Sequence, residues 1–309
     1  MIKLPSSVQV KEVGPRDGLQ NEKTLINTND KIELIDRLSE TGLNYIEVTS
    51  FVHPKWIPQL ADAVEVLKGI KRKKGITYGA LVPNSKGLER AIEADIDEVS
   101  IFMSASEGHN KANINKSIVE TYPVLKEVAE GALAAGKTVR GYISTVIACP
   151  YDGLVSPVQV ARVAEKLFEM GVSEISLGDT IGVGVPTQVD ALLEEMTRHF
   201  NTDQLAMHFH DTRGMALANV MASLAHGIQK FDSSIGGLGG CPYAHGASGN
   251  VATEDLLYLL EGMGIQTGIQ REKIVQTALY VEEKLGKPLH SKLVAVARGE
   301  ENHGGVCKA

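Results

Sequence analysis

Residues 205–211 read LAMHFHD, and in them apolar and polar side chains alternate. Along a β-strand successive side chains point to opposite faces, so Ala206, His208 and His210 share one face and Leu205, Met207 and Phe209 the other. The second face is apolar enough to pack beneath helices. The first carries two imidazoles toward the end of the strand, with Asp211 directly behind them. A buried strand that ends in titratable groups is the building block of an α/β enzyme, and the question becomes how many such strands the chain holds.

Working outward from that strand, short β-branched runs alternate with longer amphipathic stretches along the whole chain. The spacing predicts strands over 7–13, 45–51, 76–82, 98–104, 138–144, 173–179, 205–211 and 231–237. Between them, segments 30–42, 156–171 and 185–200 repeat apolar residues every three to four positions, as helices do, and several stop at a glycine suited to a left-handed cap. Eight strand-and-helix units in about 260 residues is the arithmetic of a (β/α)8 TIM barrel, although a doubly wound open sheet shares the alternation. Residue placement decides for the barrel. In that fold chemistry gathers at the C-terminal ends of the strands, and the unusual polar residues fall there: Arg16 and Asp17 after the first strand, Glu47 in the second, Asp179 ending the sixth, His208 and His210 ending the seventh. Cys241 and Asn250 follow in the glycine-rich loop after the eighth, GGLGGCPYAHGASGN. The expected organisation is one catalytic domain over 1–309. Its barrel would run from about 8 to 264 and a C-terminal helical extension from about 265 to 309.

Composition narrows the function. The 309 residues are 43% hydrophobic and carry a net charge of −7, so a large core can form and no general basic field exists to hold nucleic acid or an anionic membrane. The N-terminus lacks the apolar stretch of a signal peptide, and the ending Cys-Lys-Ala is not a peroxisomal Ser-Lys-Leu type signal; the expected location is the cytoplasm. Three scattered cysteines, Cys149, Cys241 and Cys307, are too few for a disulfide framework. Cys149 reads as structural, and Cys307 as a tail residue. Residues 71–74, KRKK, read as a solvated helix end, and the amphipathic segment 271–286 as a helix that caps the barrel or forms a dimer contact.

Taken alone, His-x-His is a weak signal for a metal site. Two imidazoles at one barrel mouth, together with the Asp17 carboxylate and the Asn250 amide oxygen, make a divalent-cation site of the Mg or Mn kind more apt than thiolate-rich zinc. Cys241 stands in a loop with Gly236, Gly237, Gly239 and Gly240 before it and Gly246 and Gly249 after it. Such a loop can close over a ligand and bring a thiol with it; alternatively, His245 could activate Cys241 as a nucleophile. Arg16 with Asp17 or Glu47 could equally be a rim ion pair, and Asp179 a turn residue.

VGPRDGLQNE, IEVTSFVHPKWIPQ, RGYIS, EISLGDTIGVG, HFHDTRGMALAN and GLGGCPYAHGASGNVATEDLLYLLEGMGI, in this order between about residues 8 and 268, resemble the 3-hydroxy-3-methylglutaryl-CoA lyases of the DRE-TIM metallolyase superfamily. The cysteine-bearing glycine loop is the part that points to the lyases within it. One departure is visible: Ile235-Gly236 stands where the family pattern has Val-Ala, and no functional group is lost. The resemblance implies a TIM barrel that cleaves (S)-3-hydroxy-3-methylglutaryl-CoA to acetyl-CoA and acetoacetate, in leucine degradation or ketone-body formation. It implies a divalent cation, Mg or Mn, on Asp17, His208, His210 and Asn250. Arg16 would sit beside the thioester oxygen with Glu47 holding it, Asp179 would complete the polar site, and Cys241 would be the catalytic loop thiol. Lys23 and Asn113 match positions that meet coenzyme A. An acyl-CoA is thus the expected partner, and a homodimer the expected assembly. Two other classes stay open: a condensing transferase acting on acetyl-CoA and a 2-oxo acid, and a thiol hydrolase or non-catalytic metal-binding barrel.

Overall fold

The computed structural model describes residues 4–240 and 249–302. Cys241, His245, Gly246 and Cys307 lie outside the described residues. Eight parallel strands, Gln9–Glu12, Tyr45–Ser50, Thr77–Leu81, Glu98–Ser104, Thr138–Ser144, Glu174–Asp179, Leu205–Phe209 and Lys230–Ser233, close into a barrel. Neighbours in space are neighbours in sequence, and the first strand closes the ring against the eighth. This is the (β/α)8 barrel expected from the alternation, and not an open sheet.

The helices form where the apolar spacing placed them. Thr28–Ser39 is capped by Asn27, whose side chain accepts from the Asp30 N–H, and it buries Leu34, Ile35 and Leu38 against the barrel wall. Pro157–Glu169 opens with proline in its first turn and buries Val160, Val163, Ala164 and Leu167. The apolar face of the seventh strand, Leu205, Met207 and Phe209, is almost wholly buried in the core that the strands share with these helices.

Three strands differ from expectation by more than one residue at an end, each for a local reason. The first strand is Gln9–Glu12, because the chain turns into a wide helical turn, Gly14–Gly18, that carries Arg16 and Asp17. The seventh ends at Phe209; His210 leaves the barrel ladder and pairs instead with Asn250 in an antiparallel bridge. The eighth ends at Ser233, and residues 235–237 form a short 3-10 turn with Gly236 and Gly237 at positive φ. The positive φ of Gly236 favours glycine, and a Cβ there would meet Leu289 Cδ1 at 2.3 Å, so a larger residue needs the Leu289 side chain to move.

Beyond the barrel, helices Arg271–Leu285 and Lys292–Asn302 complete the described chain; the second was not foreseen as a helix of its own. Between the two helices the His290 and Ser291 N–H groups approach the Gly236 carbonyl at 3.0 and 3.2 Å, tying the extension to the root of the glycine-rich loop. Residues 71–74 behave as a solvated end: Lys71 pairs with Asp36, Arg72 with Asp97 and Lys73 with Glu40, and Lys71 is 86% exposed. Cys149 is buried beside Ser106, whose hydroxyl lies 2.8 Å from its sulfur.

Candidate metal and catalytic site

The turn after the first strand, the end of the seventh and the segment returning from the glycine-rich loop meet at the C-terminal mouth of the barrel. Backbone bonds fix that meeting: Val251 N–H donates to Phe209 O at 2.9 Å and Asp211 N–H to Gly249 O at 2.8 Å, which sets Asn250 beside His210. Gly239, at φ +119°, lets the outgoing chain pass; a Cβ there would meet the Asn250 amide nitrogen at 2.6 Å.

One ligand atom each from Asp17, His208 and His210 falls within 4.8 Å of the others, a group that could hold a metal ion. The Asn250 amide donates to Asp17 Oδ2 at 2.8 Å and to Leu238 O at 3.0 Å. Burial pushes the Asp17 carboxyl up, but Arg16, the two imidazoles and the Asn250 hydrogen bond overcome it and hold the group down at about 2. Burial, assisted by His208 and opposed by Asp17, lowers His210 to about 4. An ionised carboxylate beside a neutral imidazole is the protonation state a divalent cation needs of its ligands. His210 Nδ1 is buried with no hydrogen-bond partner among the described residues, a cost that a bound ion would remove. Asp17, His208 and His210 therefore fit a cation, whereas Asn250 turns its amide nitrogen rather than its oxygen toward Asp17.

Arg16 lies beside this group. Its Nε donates to Glu47 Oε2 at 2.5 Å, Nη1 pairs with Asp17, and its guanidinium stands 5.1 Å from the centre of the Tyr142 ring. Glu47 is fully buried and also accepts from the Tyr142 hydroxyl at 3.1 Å; the strand ladder shifts register between Glu47 and Thr49, a bulge in the segment that carries this carboxylate. Asp179 is buried, and its oxygens accept from the Val183 and Gly184 N–H groups at 3.2 and 2.8 Å, so it shapes the loop after the sixth strand. Burial raises its pKa, against the pull of those two hydrogen bonds.

A cavity of about 640 Å³ opens over these groups, with Arg16, Asp17, His208 and His210 in its wall. Asn113 borders it too, as does Trp56, which is 74% exposed. Lys23 is exposed and is not part of the lining.

Sequence reasoning passed over Asp232, Arg140 and Tyr142. Asp232 lies in the eighth strand, directly across the ladder from His208, and its Oδ2 is 3.2 Å from His208 Nδ1. Arg140, fully buried, grips Asp232 through Nη2 at 2.7 Å. Burial raises the Asp232 pKa, but Arg140 and His208 more than reverse this and leave it well below the usual carboxylate range. The available signal was a charged residue in the middle of a strand buried on both faces, as in KFDS (230–233) and TVRGYIS (138–144), where only a specific partner repays the desolvation.

Fold and site together define a (β/α)8-barrel enzyme with a carboxylate and two imidazoles arranged for a divalent cation at the catalytic rim. The HMGL-like family model matches residues 7–281, and the chain belongs to that family. It is 58% identical to the hydroxymethylglutaryl-CoA lyase YngG of Bacillus subtilis, over 94% of this chain and 98% of that one, and 51% identical to the human mitochondrial hydroxymethylglutaryl-CoA lyase, over 94% and 89%. The crystal structure of the Bacillus subtilis HMG-CoA lyase aligns with a TM-score of 0.94 at 57% identity, covering 96% of this chain and 99% of that one. An Acinetobacter baumannii HMG-CoA lyase in complex with coenzyme A and 3-methylmalate aligns at 0.90 with 40% identity, covering 96% of each. The carboxyl transferase domain of Rhizobium etli pyruvate carboxylase, 16% identical with a TM-score of 0.69 over 91% of this chain and 47% of that one, shares the fold alone. This chain is a lyase.

Proposed function

We propose that this lyase cleaves 3-hydroxy-3-methylglutaryl-CoA to acetyl-CoA and acetoacetate by a retro-Claisen reaction. The observation that carries the reading is the convergence of Asp17, His208, His210 and Arg16 on one cavity, in a chain more than half identical to named hydroxymethylglutaryl-CoA lyases. Three demands follow from the chemistry. The tertiary hydroxyl must lose its proton, the C2–C3 bonding pair must be received by the thioester as an enolate, and C2 must then gain a proton.

Asp17, His208, His210 and Asn250 would hold a divalent cation, Mg or Mn by the oxygen and imidazole character of the set. When bound, such an ion supplies Lewis acidity that lowers a hydroxyl pKa and orients the substrate. Asp17 or His208 takes the hydroxyl proton as C3 becomes the ketone of acetoacetate. Arg16 is the fixed positive charge for the enolate oxygen, and Glu47, supported by the Tyr142 hydroxyl, keeps its guanidinium from turning. Asp179 keeps the neighbouring loop in shape around the polar site. Cys241, delivered by the glycine loop whose root is tied at Gly236, protonates the enolate carbon and completes acetyl-CoA. Lys23 and Asn113 meet the coenzyme A portion.

The test is acetoacetate release from 3-hydroxy-3-methylglutaryl-CoA by purified protein, before chelation, after it, and after Mg or Mn is restored, with Cys241→Ser alongside. Loss on chelation, recovery with metal and collapse in the variant are expected. Activity that survives complete chelation would favour the thiol hydrolase, and turnover of acetyl-CoA with a 2-oxo acid the condensing transferase.

A further inference from the structure

His208 stands between two aspartates, and they are not equivalent. Asp17 Oδ2 lies 3.8 Å from His208 Nε2, beyond hydrogen-bond range, whereas Asp232 Oδ2 lies 3.2 Å from Nδ1. We propose that Asp232 is a positioning residue for the cation site: it holds the His208 proton on Nδ1 and thereby turns the Nε2 lone pair toward Asp17 and His210.

The geometry gives Asp232 little freedom to do anything else. Ser176 donates to its Oδ2 at 2.7 Å, and Arg140 takes Oδ1 through Nη2 at 2.7 Å while Nη1 stands 3.3 Å from Oδ2. Arg140 is in turn fixed by Glu174 through Nε at 2.7 Å and by the Tyr142 ring, 4.7 Å from the guanidinium. Glu174 also receives Lys11 and Lys230, each at 2.7 Å. A carboxylate clamped this way cannot rotate to follow the imidazole, so the imidazole must follow it. A neutral imidazole has one N–H and one lone pair, and a hydrogen bond that fixes the first fixes the second. His208 is therefore an oriented ligand, and its orientation comes from the barrel interior.

This inference rests on the cation reading above, and its test separates the two. In the metal-free wild-type protein, 15N-resolved histidine spectra are expected to show His208 as the Nδ1–H tautomer; an Nε2–H tautomer would overturn the proposal. In Asp232→Asn the amide can present an N–H to Nδ1 and push the proton to Nε2. Mn(II) affinity followed by electron paramagnetic resonance, in the absence of substrate, is expected to weaken about 10–100-fold. A folded variant with wild-type Mn(II) affinity would refute the role. Should the variant fail to fold, the wild-type spectrum decides alone; should the wild type bind no Mn(II), the cation reading fails while the tautomer still answers for Asp232.

Discussion

Below His208 and above it, the same barrel treats buried charge in opposite ways. Below, Lys11, Lys230, Glu174, Arg140 and Asp232 form a continuous chain in which every link is a 2.7 Å ion pair. Above, Asp17 shares one carboxylate among Arg16, Gln20 and Asn250, while Glu47 Oε1 and His210 Nδ1 have no partner among the described residues. Closed pairing is what a fold requires of interior charge, because each desolvated ion must be compensated where it stands. Incomplete pairing beside a cavity is what a site looks like before its ligand arrives. The missing partner alone is not enough: among the described residues Tyr45 Oη and Glu98 Oε1 are also unsatisfied, and neither of these residues nor Glu47 borders the cavity. His210 differs in its company, an ionised carboxylate and a second imidazole within reach of one ion.

The sharpest way to break this contrast is Arg140→Met. Removing the central cation leaves Glu174 and Asp232 buried with too few partners, and urea unfolding is expected to show a loss of about 3–5 kcal/mol. A variant as stable as the wild type would mean that the lower chain is not the structural element it resembles.

At the rim the expected loss is in rate. Arg16→Ala removes the positive charge from the enolate position, and kcat for acetoacetate release is expected to fall about 10²–10³-fold, with KM changed much less. If stability dropped while kcat held, the rim would have to be read as another structural pair.

A smaller effect sharpens the boundary between the two regions, where the glycine loop begins. Glu254 is buried and accepts from the Gly236 N–H through both oxygens, at 2.9 and 3.0 Å. Burial, with Glu12 and Asp255 adding repulsion against the hydrogen bonds, raises its carboxyl to about 8. A carboxyl whose folded pKa is raised holds a proton more tightly in the native state. Its stabilisation is therefore full below the unfolded value near 4.5 and is lost as pH rises through about 8. Glu254→Gln is expected to flatten the decline of Tm between pH 5 and 8, read by thermal melting across that range. An unchanged slope would remove Glu254 from the account of the loop root.

Legibility in the sequence followed the kind of signal each element leaves. The barrel was readable because eight strands repeat the same local alternation, and His208 and His210 because two-residue spacing on a strand puts them on one side. Asp17 and Arg16 were readable from their place just after a strand. Asp232 and Arg140 were not singled out, since each is one charged residue in an apolar run and its partner lies far along the chain; Arg140 and Asp232 are 92 positions apart. The second C-terminal helix was not separated from the extension that holds it, and the contact of His290 with Gly236 left no local mark.

What the sequence determined by itself was the local chemistry: the order of strands and helices, the side of each strand that is polar, and the residue types gathered at the strand ends. Those follow from backbone geometry and burial, which act over a few residues. The tertiary structure decided which groups meet. Closing the ring sets the eighth strand beside the seventh, so that Asp232 faces His208, and the returning loop segment brings Asn250 to His210. Partners so far apart in sequence are joined by register and chain closure, and nothing in either neighbourhood alone encodes the distance between them.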